Sequence, residues 1–214
     1  MRPLLTILFL FIASISQAQD LKSLFIAMPD SLLPLLTKVN RQDFGDFLQS
    51  GMKAQVKNRF GKTSEMLTMT EDYLELQLTS VSKVEMKLLP VNDSTQVICV
   101  AKTYNGPVAD THLAFYTTEW QELNAGKYIQ FPKSDDFYIE PILPEKKDSL
   151  EHLKPYADVN FRKAQLSKEE RTVRFFYTVP DYMEQKTAEA LRTYLRTTPI
   201  CYQWSEGRFV VKQK

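Results

Sequence analysis

The sequence predicts an α+β fold, in which short N-terminal helices pack on an antiparallel β-meander and a second, smaller α+β half follows. Two observations lead to this prediction. Apolar residues have helical spacing at the start of the chain and change to strict alternation at about residue 65, the pattern of half-buried strands. After an irregular, proline-containing stretch at 119–148, short apolar strands resume on either side of one amphipathic segment.

The first 18 residues are typical of a cleavable signal peptide. Arg2 supplies a positive start, residues 4–13 are apolar, and Ala18 offers a small residue directly before Gln19, the expected first residue of the mature protein. The apolar run is shorter than the roughly 20 residues that cross a bilayer. Because no cysteine follows the run, we expect an exported protein of the periplasm or extracellular medium that is not lipid-anchored.

The charge balance limits the partners that the protein is expected to have. The chain has 27 Lys and Arg residues against 26 Asp and Glu residues, and removal of the signal peptide also removes Arg2. The mature protein therefore has no basic excess, and we expect neither nucleic-acid binding nor membrane insertion. With only 6 glycines, a glycine-rich phosphate loop is not an organising feature, and no cofactor is expected.

Short helices are predicted to open the mature chain. The apolar residues between Leu21 and Met28 lie at helical spacing, and Pro29 ends this helix. Asn40 is the predicted N-cap of a later helix, which ends at Gly51.

Residues 65–118 predict four or five antiparallel strands. From Leu74 to Leu88, apolar residues alternate with polar ones such as Glu85 and Lys87, so we expect one face of these strands to lie in water. The run 96–103 is apolar on both faces and predicts a central strand. The predicted core positions are Leu76, Met86, Ile98, Val100 and Phe115.

Residues 133–147 are the predicted linker between a first part, 19–132, and a second half, 148–214. The two parts can also form one continuous domain. The second half predicts helices at 148–156 and 181–196, strands at 159–166 and 172–179, and a final hairpin of strands at 200–204 and 208–212.

Asp110 and His112 are the candidate catalytic residues. Alternate residues of a strand face the same side, and a carboxylate that orients a histidine is half of a catalytic triad or part of a metal site. No nucleophile or third metal ligand is evident beside the pair, which favours an ordinary solvated strand face, and no metal site is predicted. Acidic residues at 135–140 are the nearest candidates for a further catalytic group.

Aromatic residues are concentrated between positions 116 and 138. If these side chains are exposed, they form a platform for a sugar or a peptide; otherwise, they pack the predicted linker against the sheet. The candidate binding residues are Tyr116, Trp120, Tyr128 and Tyr138.

The two cysteines, Cys99 and Cys201, could form a disulfide in an oxidising compartment. Both lie in apolar strand-like segments, where a free cysteine behaves as a small hydrophobic residue. Sequence alone does not place their Cα atoms within bridging distance, so both alternatives stay open.

Three stretches of the sequence resemble a known family. VICVAKTYNGPVADT at 97–111 and FYTTEW at 115–120, together with MPDSLLPLL at 28–36, resemble an uncharacterised family of exported proteins from gut-type Gram-negative anaerobes, described only as a domain of unknown function. The resemblance implies an envelope location and assigns no catalytic residues. The predicted layout is also similar to the β-lactamase-inhibitor-protein-like arrangement, an analogy of fold alone.

The sequence therefore favours a non-enzymatic binding or interaction module for a protein or glycan ligand. The alternative is an envelope or secreted hydrolase that uses the Asp110–His112 pair.

Overall fold

A seven-stranded antiparallel sheet forms the centre of the protein in the computed structural model, which describes residues 20–212. Strands adjacent in sequence are adjacent in the sheet, so the meander predicted for 65–118 is confirmed and extends to both sides. The strands are β1 (Gln55–Lys57), β2 (Thr63–Met69), β3 (Tyr73–Thr79), β4 (Ser82–Pro90), β5 (Gln96–Asn105), β6 (Ala109–Tyr116) and β7 (Glu122–Leu123).

Two N-terminal helices, α1 (Leu21–Ala27) and α2 (Lys38–Gln49), cover one face of this central sheet. Asp20 is the N-cap of α1 and accepts a hydrogen bond from a backbone N–H of the first turn. The predicted N-cap of α2 was wrong: Thr37 caps the helix, and Asn40 lies three residues further on. The Asn40 side chain accepts from the Thr37 N–H while its own N–H donates to the Thr37 hydroxyl, which completes a capping box.

Helix α1 and the loop that follows it are held through their backbone carbonyl groups by side chains of the sheet, of Trp120 and of α2. Lys102 Nζ donates to the carbonyl of Leu32 at 2.6 Å, and Trp120 Nε1 donates to the carbonyl of Leu24 at 3.0 Å. Arg41, which is buried, donates to two further carbonyls of the same segment. The stretch 97–111 thus contacts the stretch 28–36 directly, and the stretch 115–120 contacts the helix that precedes 28–36.

A second, four-stranded antiparallel sheet packs against the opposite face of the central sheet, with the order β11-β10-β9-β8. Its strands are β8 (Arg162–Leu166), β9 (Thr172–Tyr177), β10 (Ile200–Ser205) and β11 (Arg208–Val211), and the accompanying helices are α3 (Ala125–Tyr128), α4 (Pro144–Leu153) and α5 (Gln185–Arg192).

The helices of the second half differ in extent from the sequence prediction. Helix α4 begins at Pro144, because proline is favoured at the first helical position. Helix α5 is shorter than the predicted 181–196. Pro180 lies in a separate 3-10 turn at 179–181, and the Glu184 side chain caps α5.

Both parts of the chain contribute to the core between the two sheets. Phe115 of β6 and Phe175 of β9 are buried there, and so are Phe137 and Tyr138 from the predicted linker. Within residues 20–212, no helix combines the length and the apolarity that crossing a bilayer requires.

The central sheet is therefore buried on both faces. The five predicted core positions are confirmed, since none exposes more than 2% of its surface. The prediction that Glu85 and Lys87 face water was wrong, because the second sheet covers them and leaves them 1% and 2% exposed.

Candidate functional site

The C-terminal hairpin, β10–β11, separates two open clefts. The polar cleft has a volume of about 1040 Å³ and lies between the loop 90–97, the loop 117–119 and the hairpin turn 205–207. The charged cleft has a volume of about 690 Å³ and lies between the segment 130–140 and the edge of β11.

A tight turn and two close contacts hold the hairpin in place. Glu206 and Gly207 have φ values of 49° and 75°, as a two-residue hairpin turn requires. A Cβ atom at Gly207 would lie 3.3 Å from the carbonyl oxygen of Val91, so glycine permits this close packing. Trp204 Nε1 donates to the carbonyl of Pro90 at 2.6 Å and links the hairpin to the loop across the cleft.

Stacked aromatic rings support the floor of the polar cleft. The rings of Tyr128 and Trp204 are nearly parallel, with 6.2 Å between their centroids, and both also stack on Phe115. Tyr128 and Trp204 line the cleft but are only 4% and 7% exposed, so they present a small aromatic area to it.

Hydroxyl, amide and carboxylate side chains form the rim of the polar cleft. Three exposed acids, Asp93, Glu119 and Glu206, face a single base, Arg171. The hydroxyl of Thr118 donates to Glu119 at 2.7 Å and holds the pKa of that carboxyl below its usual range. The rim is thus rich in groups that accept and donate hydrogen bonds. The remaining polar side chains are Asn92, Ser94, Thr95, Gln96, Thr117 and Ser205.

The charged cleft contains the acidic residues singled out in the sequence. Asp135, Asp136 and Glu140 line it, opposite Arg196 and Arg208. Its walls thus carry both signs of charge.

Tyr202 lines the charged cleft, and Arg162 packs against Phe131, another residue of its lining. Burial raises the pKa of Tyr202, and Asp136 raises it further. Arg162 lies over the ring of Phe131, 4.9 Å from its centroid, and burial lowers the pKa of this guanidinium. Arg162 also donates to the Pro132 carbonyl at 2.9 Å, which fixes the segment that forms the cleft wall.

Asp110 and His112 are not hydrogen-bonded to each other. The Asp110 carboxylate accepts the backbone N–H of Arg162 at 3.1 Å, and the hydroxyl of Thr111 accepts the N–H of Ala164 at 2.9 Å. Asp110 and Thr111 thus accept hydrogen bonds from backbone N–H groups of β8, the edge strand of the second sheet. His112 is exposed. No group of three or more His, Cys, Asp or Glu side chains suited to a metal ion occurs within the described range 20–212.

The aromatic segment does not provide the exposed platform that the sequence allowed. Tyr116, Trp120, Tyr128 and Tyr138 each expose 8% of their surface or less. Tyr116 and Trp120 pack under the N-terminal helices, whereas Tyr128 and Tyr138 belong to the core between the sheets. Burial of these rings is what attaches the segment 116–138 to the sheet.

Cys99 and Cys201 both have free thiols in the structure. Cys99 is fully buried in β5, which raises its pKa well above the usual value, whereas Cys201 is half-buried on the outer face of the second sheet. The predicted cleavage point between Ala18 and Gln19 lies outside the described residues.

A group of charged side chains lies on the central sheet, on the face that packs against the second sheet; Glu85 and Lys87 are buried, and Lys83 and Glu75 are partly buried. Glu85 contacts Lys83 at 3.3 Å and accepts from the Tyr73 hydroxyl at 3.1 Å, and Lys83 also contacts Glu75 at 3.0 Å. Burial raises the pKa of Glu85 and, with its acidic neighbours, that of Tyr73. Lys87 donates to the carbonyl of Lys168 at 2.8 Å, which binds the two sheets together.

Sequence reasoning missed the polar cleft as a site. Two of its walls, Asn92–Ser94 and Ser205–Gly207, were recognisable as polar turns, but more than 100 positions of sequence separate them. The hydrogen bond between Trp204 and Pro90 brings these two turns together, and no local sequence pattern predicts that contact.

Comparisons with known proteins identify the family. The model of a family described as "Protein of unknown function (DUF3256)" matches residues 13–209, so the chain belongs to this family. A solved structure, described as a domain of an uncharacterized protein from Porphyromonas gingivalis W83, is similar at 28% sequence identity and a TM-score of 0.80. The match covers 91% of this chain and 98% of that chain. No curated protein sequence matches.

Proposed function

We propose that this DUF3256 protein is a non-enzymatic binding module of the periplasm or extracellular medium, and that its ligand is a glycan held in the polar cleft. The observation that carries the proposal is the composition of that cleft, in which hydroxyl, amide and carboxylate groups from three loops surround a floor supported by Tyr128 and Trp204.

The chemistry of a sugar matches this arrangement. A sugar ring presents several hydroxyl groups, each of which donates and accepts hydrogen bonds, and the mixed side chains of the rim supply both kinds of partner. The apolar C–H groups of a sugar pack against aromatic surface, of which Tyr128 and Trp204 leave a small area exposed at the floor. The open shape suits a chain of sugar units better than a small apolar ligand, which prefers a deep apolar pocket.

The position of the first helix supports export. Asp20, the N-cap of α1, follows the predicted cleavage point after Ala18 by two residues, so cleavage there would leave the fold of residues 20–212 intact. Mass spectrometry of protein recovered from the periplasm of a Gram-negative host should give an N-terminus at Gln19. An intact Met1 on that protein would contradict the proposal of a cleaved signal peptide.

The glycan proposal is tested by screening the purified protein on an array of bacterial and dietary glycans, followed by calorimetry with any glycan that binds. We expect binding that the double substitution Asp93→Ala and Glu119→Ala weakens by about tenfold or more, since it removes two rim acceptors.

The matched control is the double substitution Glu145→Ala and Glu189→Ala, which removes two exposed acids from helices α4 and α5. Affinity should be unchanged in this control. The proposal fails if no glycan binds, or if the cleft variant and the control bind equally well.

A further inference from the structure

The outer face of the second sheet points away from the core and carries charge of one sign. Ala164 and Val173 face the core, so the register places the alternate residues of each strand outward. The outward positions of β8, β9, β10 and β11, with the residue that follows β11, include no acidic side chain. They include four basic ones, which are Lys163, Arg174, Arg208 and Lys212.

These basic groups are largely without acidic partners. Among residues 20–212, no ion pair within 4.0 Å involves Lys163, Arg174 or Arg208. Lys212 lies 3.9 Å from Glu170, and both of these side chains are exposed. The chain as a whole has 27 basic and 26 acidic residues. The excess of basic residues on this face is therefore a local feature of the surface.

We propose that this outer face binds an acidic polysaccharide. Arg and Lys side chains on a rigid sheet are spaced at fixed positions, and guanidinium groups match carboxylates in geometry as well as charge. Gln165 and Gln203 lie between the basic residues on the same face. The Gln165 oxygen accepts from Arg174 and the Gln203 amide nitrogen donates to backbone carbonyls, so Gln165 offers its amide N–H donors and Gln203 its oxygen to sugar hydroxyls.

The aromatic content of the face separates a polysaccharide from a nucleic acid. Proteins that hold single-stranded nucleic acids stack successive bases on aromatic side chains. Phe176 is the single aromatic residue at the outward positions, and it is half-buried. The face thus supplies charge and hydrogen bonds without a stacking platform.

The basic part of this surface lies apart from the polar cleft, because none of its four basic residues lines that cleft; Ser205 is the outward position that borders both. Arg208 also lines the charged cleft, at the corner where the outer face meets the edge of β11. An acidic polymer on the face and a glycan in the polar cleft would therefore bind independently.

The experiment measures binding of an oligogalacturonate, a chain of uronic acids, to the full mature protein by calorimetry at several salt concentrations. We expect binding that weakens as salt rises. The double substitution Lys163→Gln and Arg174→Gln should lower the affinity by at least about fivefold and reduce the salt dependence.

A matched control makes the result specific. The substitutions Lys146→Gln and Lys147→Gln remove two exposed bases from α4 and should leave affinity unchanged. Thermal unfolding shows whether each variant is folded; if the double variant is not, Arg174→Gln alone takes its place.

Three results would overturn the inference. They are no binding of the oligogalacturonate, equal binding by the face variant and the α4 control, and equally tight binding of single-stranded DNA and polyglutamate. The last of these would show a face that attracts any polyanion.

Discussion

The two faces of the central sheet are both buried, but their side chains differ in kind. The face under α1 and α2 is apolar, with Leu76, Met86 and Ile98 at its centre. The face under the second sheet combines apolar residues with charged ones such as Glu85 and Lys87. Burial of an apolar face is favourable in itself, because it removes apolar surface from water. Burial of a charged face costs free energy unless each charge has an ion-pair or hydrogen-bond partner. The two faces of one sheet are thus covered at different energetic cost.

Leu76→Ala should have the largest effect on stability. Leu76 is fully buried on the apolar face, and its truncation removes apolar contacts and leaves a cavity. We expect the free energy of unfolding to fall by about 2–5 kcal/mol, measured by chemical denaturation.

The control for this change is Leu67→Ala in the neighbouring strand β2, where the side chain is 46% exposed. It should cost less than about 0.5 kcal/mol. Equal effects of the two substitutions would mean that the apolar face is not held by burial.

Lys83→Met tests the charged face. It removes the cation that contacts Glu85 and leaves that buried carboxylate with the Tyr73 hydroxyl alone. Breaking a buried ion pair on one side is costly, so we expect a loss of about 3 kcal/mol in unfolding free energy at pH 7.

The double variant, Lys83→Met with Glu85→Gln, should recover most of this loss because it leaves no uncompensated charge. The penalty of the single variant should also shrink as the pH falls through the pKa of Glu85, which burial raises above its ordinary value and which loss of Lys83 raises further. A double variant as unstable as the single one would show that Lys83 acts through packing.

Glu85→Gln alone should have a smaller effect on the free energy of unfolding, within about 1 kcal/mol. Glutamine still accepts the hydrogen bond from Tyr73, and Lys83 keeps its ion pair with Glu75.

Burial raises the pKa of Glu85, so the folded state binds its proton more tightly than the unfolded state does. The stabilisation from protonated Glu85 is complete below about pH 4.5 and is lost as the pH rises through the folded pKa. Denaturation across pH should therefore show the variant gaining stability relative to the wild type as the pH rises. The opposite trend would mean that Lys83 outweighs burial.

His112→Gln should have the smallest effect. His112 projects from the helix-covered face of β6 but is exposed, unlike Ala114 and Tyr116 further along the strand. We expect a change within about 0.5 kcal/mol, measured by chemical denaturation. A larger loss would place His112 beneath the N-terminal helices and extend the buried area of that face.

The comparison also explains which parts of the fold the sequence could predict. Alternation located the meander and identified Leu76 and Phe115 as core residues, because the apolar side of a strand must be buried. The same alternation assigned Glu85 and Lys87 to the solvent-exposed face. The local sequence around a charged strand residue does not show whether an ion pair and a second sheet will bury it. Burial of the charged face depends on residues about 80 positions away, such as Lys168.

The candidate site was less predictable than the fold. Turns around Asn92 and Gly207 could be recognised locally, but the cleft forms where they meet, through the Trp204–Pro90 hydrogen bond and the packing of Gly207 on Val91. The outer basic face was hidden for another reason. The whole-chain charge is nearly balanced, and only the register of β8 and β9 shows that Lys163 and Arg174 share one side.

The anchoring of the N-terminal segment has a consequence for the order in which the protein is made. Trp120 donates to a carbonyl 96 residues earlier in the chain, and Lys102 donates to one 70 residues earlier. The ribosome therefore completes α1 and its loop long before it makes the side chains that hold them. Such long-range contacts form late, since the intervening chain must first be ordered. Helix α1 is synthesised before the rest of the described fold, and it is thus among the last parts to be held in place, with its apolar residues exposed until Trp120 has been made.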